Sequence, residues 1–380
     1  MKTYAEINDK IKSGRAVVLT AEEVSAMAKE LSPGEIARKV DVVTTATFGA
    51  MCSSGAFLNF GHATPPIRME RIELNGVRVS GGLAAVDTYV GATDCNPERP
   101  AYGGGHIIEE LVAGKEIQLE AWGKGTDCYP RTHIRARVSK ETLNEAYLYN
   151  PRNAYQNYNV ATNTTDQVKY TYMGTLLPKM RNAAYSTAGE LSPLINDPEC
   201  RAIGLGTRIF LCGTEGYVAW NGTQFHSTRP TNAHGVPTAP GRTIAVIGDL
   251  KRMSTDFLRG VYYEKYGTSL FVGIGVPIPL LDEEMAHRVS IRNEQIESTI
   301  IDYGDGNKVL GMTNHAALRS GEIIVNGQRV RTAPVSSLAK AREIAAILKS
   351  WIERGEFLLT EPVRPMPTGT SLRGLEEKEC

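Results

Sequence analysis

The apolar and polar positions alternate in several distinct rhythms along the chain, and each rhythm predicts an element. Residues 3–13 and 21–31 repeat at helical spacing, the second with Thr20 as N-cap, Glu23 at the capping-box position and a Val24, Met27, Leu31 stripe. Ser32-Pro33-Gly34 closes that helix, and 34–39 adds a short helical turn. The β-branched run from Asp41 to Thr47 predicts a buried strand that empties into Phe48-Gly-Ala-Met-Cys52-Ser-Ser-Gly-Ala56. Ile107, Ile108, Leu111 and Val112 return to helical spacing and stop at Gly114, after which 116–121 alternates with period two, as a half-buried strand does.

Asn-Gly pairs predict tight hairpins at Asn75-Gly76, Asn221-Gly222 and Asn326-Gly327. The first and third, IELNGVRV and IIVNGQRV, resemble one another because type I′ turns converge on such sequences, not through an internal repeat. Residues 150–165, rich in Asn and Tyr, predict a long surface loop, and 169–184 is a mixed segment. Strands are expected at 203–212, 243–247 and 269–276, a loop at 226–242, helical stretches over 281–296 and the clearest helix over 337–354. The whole predicts a mixed α/β or α+β fold, hairpin-containing sheets with flanking helices, whose strand order the pattern does not specify. A single large domain over 1–360 is expected, with a mobile tail over 361–380 rich in proline and charge.

Charge changes this picture by exclusion. Lys and Arg number 42, as do Asp and Glu, so a broad nucleic-acid footprint or an electrostatic membrane anchor is not expected. No leading signal segment and no apolar run of membrane-spanning length is visible, and the six cysteines form no CxxC pair. A cytoplasmic protein with reduced thiols and no metal site is the expectation. The weak Gly204-Leu-Gly206 dinucleotide signal lacks the later glycine, since Ile209 stands there.

Candidate chemistry gathers in Tyr102–Arg131. Gly103, Gly104 and Gly105 precede the predicted helix, where their N–H groups could form an anion nest for a carboxylate. Cys128 follows the next strand in a glycine-bearing loop between Lys124 and Arg131, a context that favours thiolate. A tight turn with an inert cysteine accounts for the same residues. Cys52 sits in a second glycine-bearing loop, and two such loops meeting in one cleft would place two thiols together, able to deliver two electrons as a disulfide forms. Cys95 is a weaker candidate, Cys212 reads as core, and Cys200 and Cys380 as incidental. His106, at the helix start, is expected to be neutral and to serve as a base or orienting group, with His133 and His62 as further candidates. Arg68, Arg131 and Arg135 are candidates for gripping a carboxylate.

The segments FGAMCSSGA, YGGGHIIEELVAGKE and GTDCYPR resemble the homocysteine-biosynthesis family of sulfur-incorporating enzymes of methanogens and anaerobic bacteria, over roughly residues 10–360. The resemblance implies L-aspartate semialdehyde sulfurtransferase activity, with Cys52 and Cys128 matching the family's two cysteines. It also implies no tightly bound cofactor, a separately encoded ferredoxin-like iron–sulfur protein as reductant, and small-molecule substrates: aspartate semialdehyde with sulfide or a persulfide donor. The CBS modules of many archaeal members are not expected here; a homo-oligomer is compatible with the resemblance. The mechanism expected is delivery of sulfur by Cys128, as thiolate or persulfide, with Cys52 as the resolving thiol. A cysteine hydrolase or acyltransferase using Cys128 with His106 or His133, and an iron–sulfur scaffold using Cys52, Cys95 and Cys128, remain as alternatives.

Overall fold

The computed structural model describes residues 1–377. Three short N-terminal helices, Tyr4–Lys12, Ala21–Met27 and Pro33–Lys39, each begin with a capping box, Thr3/Glu6, Thr20/Glu23 and Ser32/Glu35. The strand over Val42–Ala50 follows, and it is buried over most of its length.

The main sheet has ten strands. Across it the order is Val18–Thr20, Val42–Ala50, Gly267–Pro279, Arg208–Leu211, Thr214–Asn221, Ile244–Asp249, Ala146–Asn153, Gly55–Asn59 and Asp87–Gly91, with Leu258–Tyr263 added alongside Gly267–Pro279. Only the first pair is parallel. Val42–Ala50 and Gly55–Asn59 are consecutive in the chain yet lie six strand steps apart in the sheet. A flat sheet would separate them by roughly 29 Å. The five Cα steps from Ala50 to Gly55 reach at most about 18 Å. The sheet must therefore curl back on itself, and the short link at Met51–Ser54 is where its two ends meet.

Helices pack against this curl. Leu338–Glu353, capped by Ser337, buries Ala341, Ile344, Ala345, Leu348 and Ile352. It lies so close to Gly267–Pro279 that a Cβ on Gly273 or Gly275 would press on Ile344 and Leu348. The helix Gly104–Val112 buries Ile107, Ile108, Leu111 and Val112 in the same core. A six-stranded mixed sheet, ordered Lys308–Asn314, Glu297–Asp302, Val160–Thr162, Asn182–Tyr185, Gln328–Pro334 and Glu322–Val325, has its own core around Val160, Ile300 and Val330. A four-stranded antiparallel sheet carries Val77–Val79, Arg71–Leu74, Ile117–Trp122 and His133–Val138. The fold is thus mixed α and β, with several sheets and flanking helices.

The hairpins at Asn75-Gly76 and Asn326-Gly327 form as expected, all four residues at positive φ. The one expected at Asn221-Gly222 does not. Thr214–Asn221 instead pairs with Ile244–Asp249 across a long loop, and Gly222 continues the pairing by donating its N–H to Thr243 O at 2.9 Å. The 150–165 region is not a surface loop either: Asn153, Gln156 and Asn157 are fully buried. The amides of Gln156 and Asn157 replace missing backbone partners, Gln156 donating to Leu194 O and Pro198 O, and Asn157 to Pro237 O and Glu297 O. Gly204 lies outside a strand and packs on the C-terminal segment, where a Cβ would press on Pro362 and Arg364 O. Beyond Glu361 the chain pairs with Leu205 through Val363 and Arg364, and Thr370 exchanges hydrogen bonds with Ser227.

Candidate active site

Cys52 occupies the link where the sheet ends meet. The link is tied to both ends: Met51 N–H donates to Leu270 O at 2.8 Å, and Ser54 O accepts from Ala92 N–H at 2.8 Å. Ser54 is buried, and its hydroxyl accepts from the Asn150 amide at 2.6 Å. Cys52 is half-buried, and two hydroxyls point at its sulfur. Ser269 Oγ donates at 3.2 Å and Tyr266 OH at 3.9 Å.

The thiol lines a cavity of about 250 Å³, bounded by Gly49–Ser53, Arg152, Tyr155, Tyr158, Tyr172, Met173, Ser186, Tyr266 and Val335. Its polar wall is a tyrosine array. Tyr158, Tyr172 and Tyr303 link their hydroxyls in a chain, each step 2.7 Å, and Tyr172 packs on Tyr266 with ring centroids 5.9 Å apart. Burial pushes the phenols of Tyr155 and Tyr158 up, and burial together with the neighbouring Cys52 charge does the same for Tyr266. These groups therefore stay protonated and available as donors.

The triple glycine reaches this site indirectly. Gly104 N–H donates to Asp94 O at 2.8 Å, Gly105 N–H to Ala92 O at 3.0 Å, and Gly103 N–H to His106 Nδ1 at 3.3 Å. All three amides are engaged within the protein, so the anion nest expected from sequence has no free donor. Their purpose is contact. A Cβ on Gly103 would collide with Asp94 O and Thr268, one on Gly104 with Gly91 O, and one on Gly105 with Ser269 O. The bare backbone lets the helix start press against the strand that presents Ser269 to Cys52. His106 stacks on Tyr102 and lies outside the Cys52 cavity. Burial lowers its pKa, against the opposing pull of Glu109 and Glu110, which matches the neutral form expected.

Cys128 lies elsewhere. It is exposed, in the loop between Ile117–Trp122 and His133–Val138, and its contact is Thr126 Oγ1 at 3.6 Å. That loop rests on the segment before Arg71: Arg131 N–H donates to Pro66 O, its guanidinium to Thr64 O, and His62 stacks on Tyr129. Arg68 is exposed on the same segment. His133 and Arg135 both bind Glu120, at 2.9 and 2.8 Å. None of Arg68, Cys128, Arg131, His133 or Arg135 lines the Cys52 cavity, and no histidine does. Cys95 is exposed, while burial pushes the thiols of Cys200 and Cys212 up, that of Cys212 to about 12. Cys380 lies outside the described residues. Among the described residues no group of three or more His, Cys, Asp or Glu could hold a metal ion, and no helix is long and apolar enough to cross a membrane.

Sequence reasoning missed Arg152, Tyr155, Tyr158, Tyr172 and Tyr266. The usable signal was the Asn/Tyr-rich stretch itself, since a surface loop has little reason to carry several aromatic rings.

Two relatives named L-aspartate semialdehyde sulfurtransferase match nearly all of this chain and about three quarters of their own length. The protein from Methanocaldococcus jannaschii is 49% identical over 96% of this chain and 73% of its own length. That from Methanosarcina acetivorans is 46% identical over 100% and 75%. An uncharacterized Methanothermobacter thermautotrophicus protein is 27% identical over 84% of this chain and 72% of its own. No solved structure matches. Residues 16–359 match the homocysteine biosynthesis enzyme, sulfur-incorporation family, and the chain belongs to that family of enzymes.

Proposed function

We propose that this protein is a sulfurtransferase that converts L-aspartate 4-semialdehyde to L-homocysteine, with Cys52 as the working nucleophile. The observation that carries the reading is a hydroxyl-supported thiol facing a cavity of amino-acid size, in a chain whose sulfurtransferase relatives are nearly half identical. This reading exchanges the roles expected for the two cysteines, and what supports it is that Cys52 lines the cavity and Cys128 does not.

Overall, the aldehyde and one hydrogen sulfide, with two electrons and two protons, give the product thiol and one water. Sulfide adds to the aldehyde carbon, and loss of water leaves a thioaldehyde, with Tyr266 supplying the proton to the departing hydroxyl. The Cys52 thiolate then attacks the thioaldehyde sulfur while the carbon takes a proton. This step forms the S–S bond of a mixed disulfide between the product sulfur and Cys52, and leaves total oxidation level unchanged. Two electrons and two protons cleave that bond to the product thiol and free Cys52. The electrons come from an external reductant, a ferredoxin-like iron–sulfur protein in a cytoplasmic setting, and Cys128, on an accessible loop, is the thiol placed to meet such a partner.

The test is anaerobic incubation of the purified protein with aspartate semialdehyde, sulfide and a low-potential reductant, with homocysteine measured by mass spectrometry. Product formation that requires Cys52 sustains the proposal. Product formed equally well by Cys52→Ser removes Cys52 from the mechanism. A cysteine hydrolase would need a base, and neither His106 nor His133 is bonded to a cysteine.

A further inference from the structure

Arg152 is the one charged side chain among the described residues that line the Cys52 cavity, and no carboxylate lines it. It stands at the end of the strand Ala146–Asn153, two residues beyond Asn150, which pins the Cys52 link through Ser54. Asn150 Oδ1 in turn accepts from the Arg152 backbone N–H at 2.8 Å. One strand end thus fixes the thiol's loop and places a cation in the same cavity.

The guanidinium is held but not neutralised. Nε donates to Thr223 Oγ1 at 3.0 Å and Nη1 to Tyr155 OH at 3.3 Å, both uncharged partners, and among the described residues Arg152 forms no ion pair. Some other half-buried arginines meet acidic partners, Arg201 with Asp282, Arg208 with Glu215 and Arg288 with Glu199, whereas Arg242, like Arg152, bonds only a neutral group but lies outside the cavity. A partly buried, orientated guanidinium without a counter-charge is well suited to an anionic ligand, and its planar fork fits a carboxylate. Two bonds to neutral hydroxyls restrict its rotamers, which lowers the entropy lost when a ligand binds.

We propose that Arg152 holds the α-carboxylate of the substrate and so orients the aldehyde toward Cys52, as a binding and specificity residue. This rests on the reaction proposed above, although the carboxylate site can be tested without it. The arginines suggested by sequence, Arg68, Arg131 and Arg135, are outside the cavity.

Two measurements test it. In steady state, Arg152→Gln should raise KM for aspartate semialdehyde roughly 10- to 100-fold, the scale of a lost charge-assisted pair, with a smaller change in kcat. Independently of turnover, Cys52 can be alkylated with iodoacetate, which carries a carboxylate, and with iodoacetamide, which does not. The ratio of the two rate constants at Cys52, read by peptide mass spectrometry, should fall about tenfold in Arg152→Gln, a shift of one pairing interaction. The same ratio at Cys128 should not move. If Arg152→Gln does not fold, Arg152→Lys carries the test, because an ammonium loses the fork and should still lower the ratio. An unchanged ratio at Cys52 overturns the proposal. A lowered ratio in a protein that makes no homocysteine keeps the carboxylate site and discards the reaction.

Discussion

The two cysteine-bearing loops were alike in sequence, each glycine-containing and each just past a strand, but they are built for different work. The Cys52 link joins two strands that are neighbours in the chain and distant in the sheet, so both ends of a curled sheet press on it. Its sulfur receives Ser269 and Tyr266, and its backbone is tied to Leu270 and Ala92. The Cys128 loop joins adjacent strands of a small antiparallel sheet, and its thiol is exposed with Thr126 Oγ1 as its one side-chain hydrogen-bond contact. A glycine-bearing loop thus owes its chemistry less to its own residues than to the elements that converge on it. The lesson bears on motif reading in general, because convergence is a property of topology.

The sharpest way to break this contrast is at the thiols themselves. Cys52→Ser should lower homocysteine formation on the order of 10³-fold or more, the scale of a lost nucleophile. Cys128→Ser should keep single-turnover product formation and lose rate only when the protein reductant is limiting. Equal losses in a single turnover would erase the distinction between the loops.

Backbone crowding separates the loops next. Gly105→Ala puts a methyl into Ser269 O and should cost about 3 kcal/mol in urea unfolding, the upper end for overpacking. Gly125→Ala, in the Cys128 loop at φ +73, meets a side-chain methyl and pays chiefly for a left-handed backbone, about 1 kcal/mol. Comparable costs would mean that the Cys52 surroundings are no tighter than the exposed loop.

The support of the sulfur can then be isolated. Ser269→Ala should slow alkylation of Cys52 by iodoacetamide about tenfold, as the sulfur loses its nearer hydrogen-bond donor and the orientation it imposes, with Cys128 unaffected. No change at Cys52 would reduce Ser269 to packing.

Any comparison run in acid must allow for His315. This ring is fully buried beside Arg319, its nitrogens lack partners, and burial with that charge pushes its pKa down to about 3. The unfolded ring, at its ordinary value of 6.5, binds a proton that the folded ring refuses, so stability is lost as pH falls below 6.5 and levels off below about 3. From pH 6.5 to 5.5 the loss should be about 1 kcal/mol, and it should vanish in His315→Gln, as measured by chemical denaturation.

Much of the fold was legible wherever the rule is local. The Thr20/Glu23 capping box, the two Asn-Gly hairpins and the Ser337-capped helix all follow from nearest-neighbour chemistry. Gly103–Gly105 stood out as a glycine run, yet the contacts that crowd them, Asp94 and Gly91 O nearby and Thr268 and Ser269 far along the chain, are not marked in it. The site was half legible. Cys52 stood out by its loop, but the tyrosine wall lay in 150–172 and at Tyr266, where buried Asn and Gln amides satisfy irregular backbone and imitate a polar surface loop. No period marks such a segment, because its partners lie in other elements.

The curled sheet has a consequence for how the chain becomes active. The strand before Cys52 is paired with Gly267–Pro279, and the strand after it with Ala146–Asn153, so closing the link requires contacts spanning more than half the sequence. Contacts of such sequence separation form late and slowly. A nascent or half-folded chain therefore carries Cys52 as an ordinary thiol, without Ser269, Tyr266 or Arg152 around it. The pocket around this thiol is complete only when the whole sheet is.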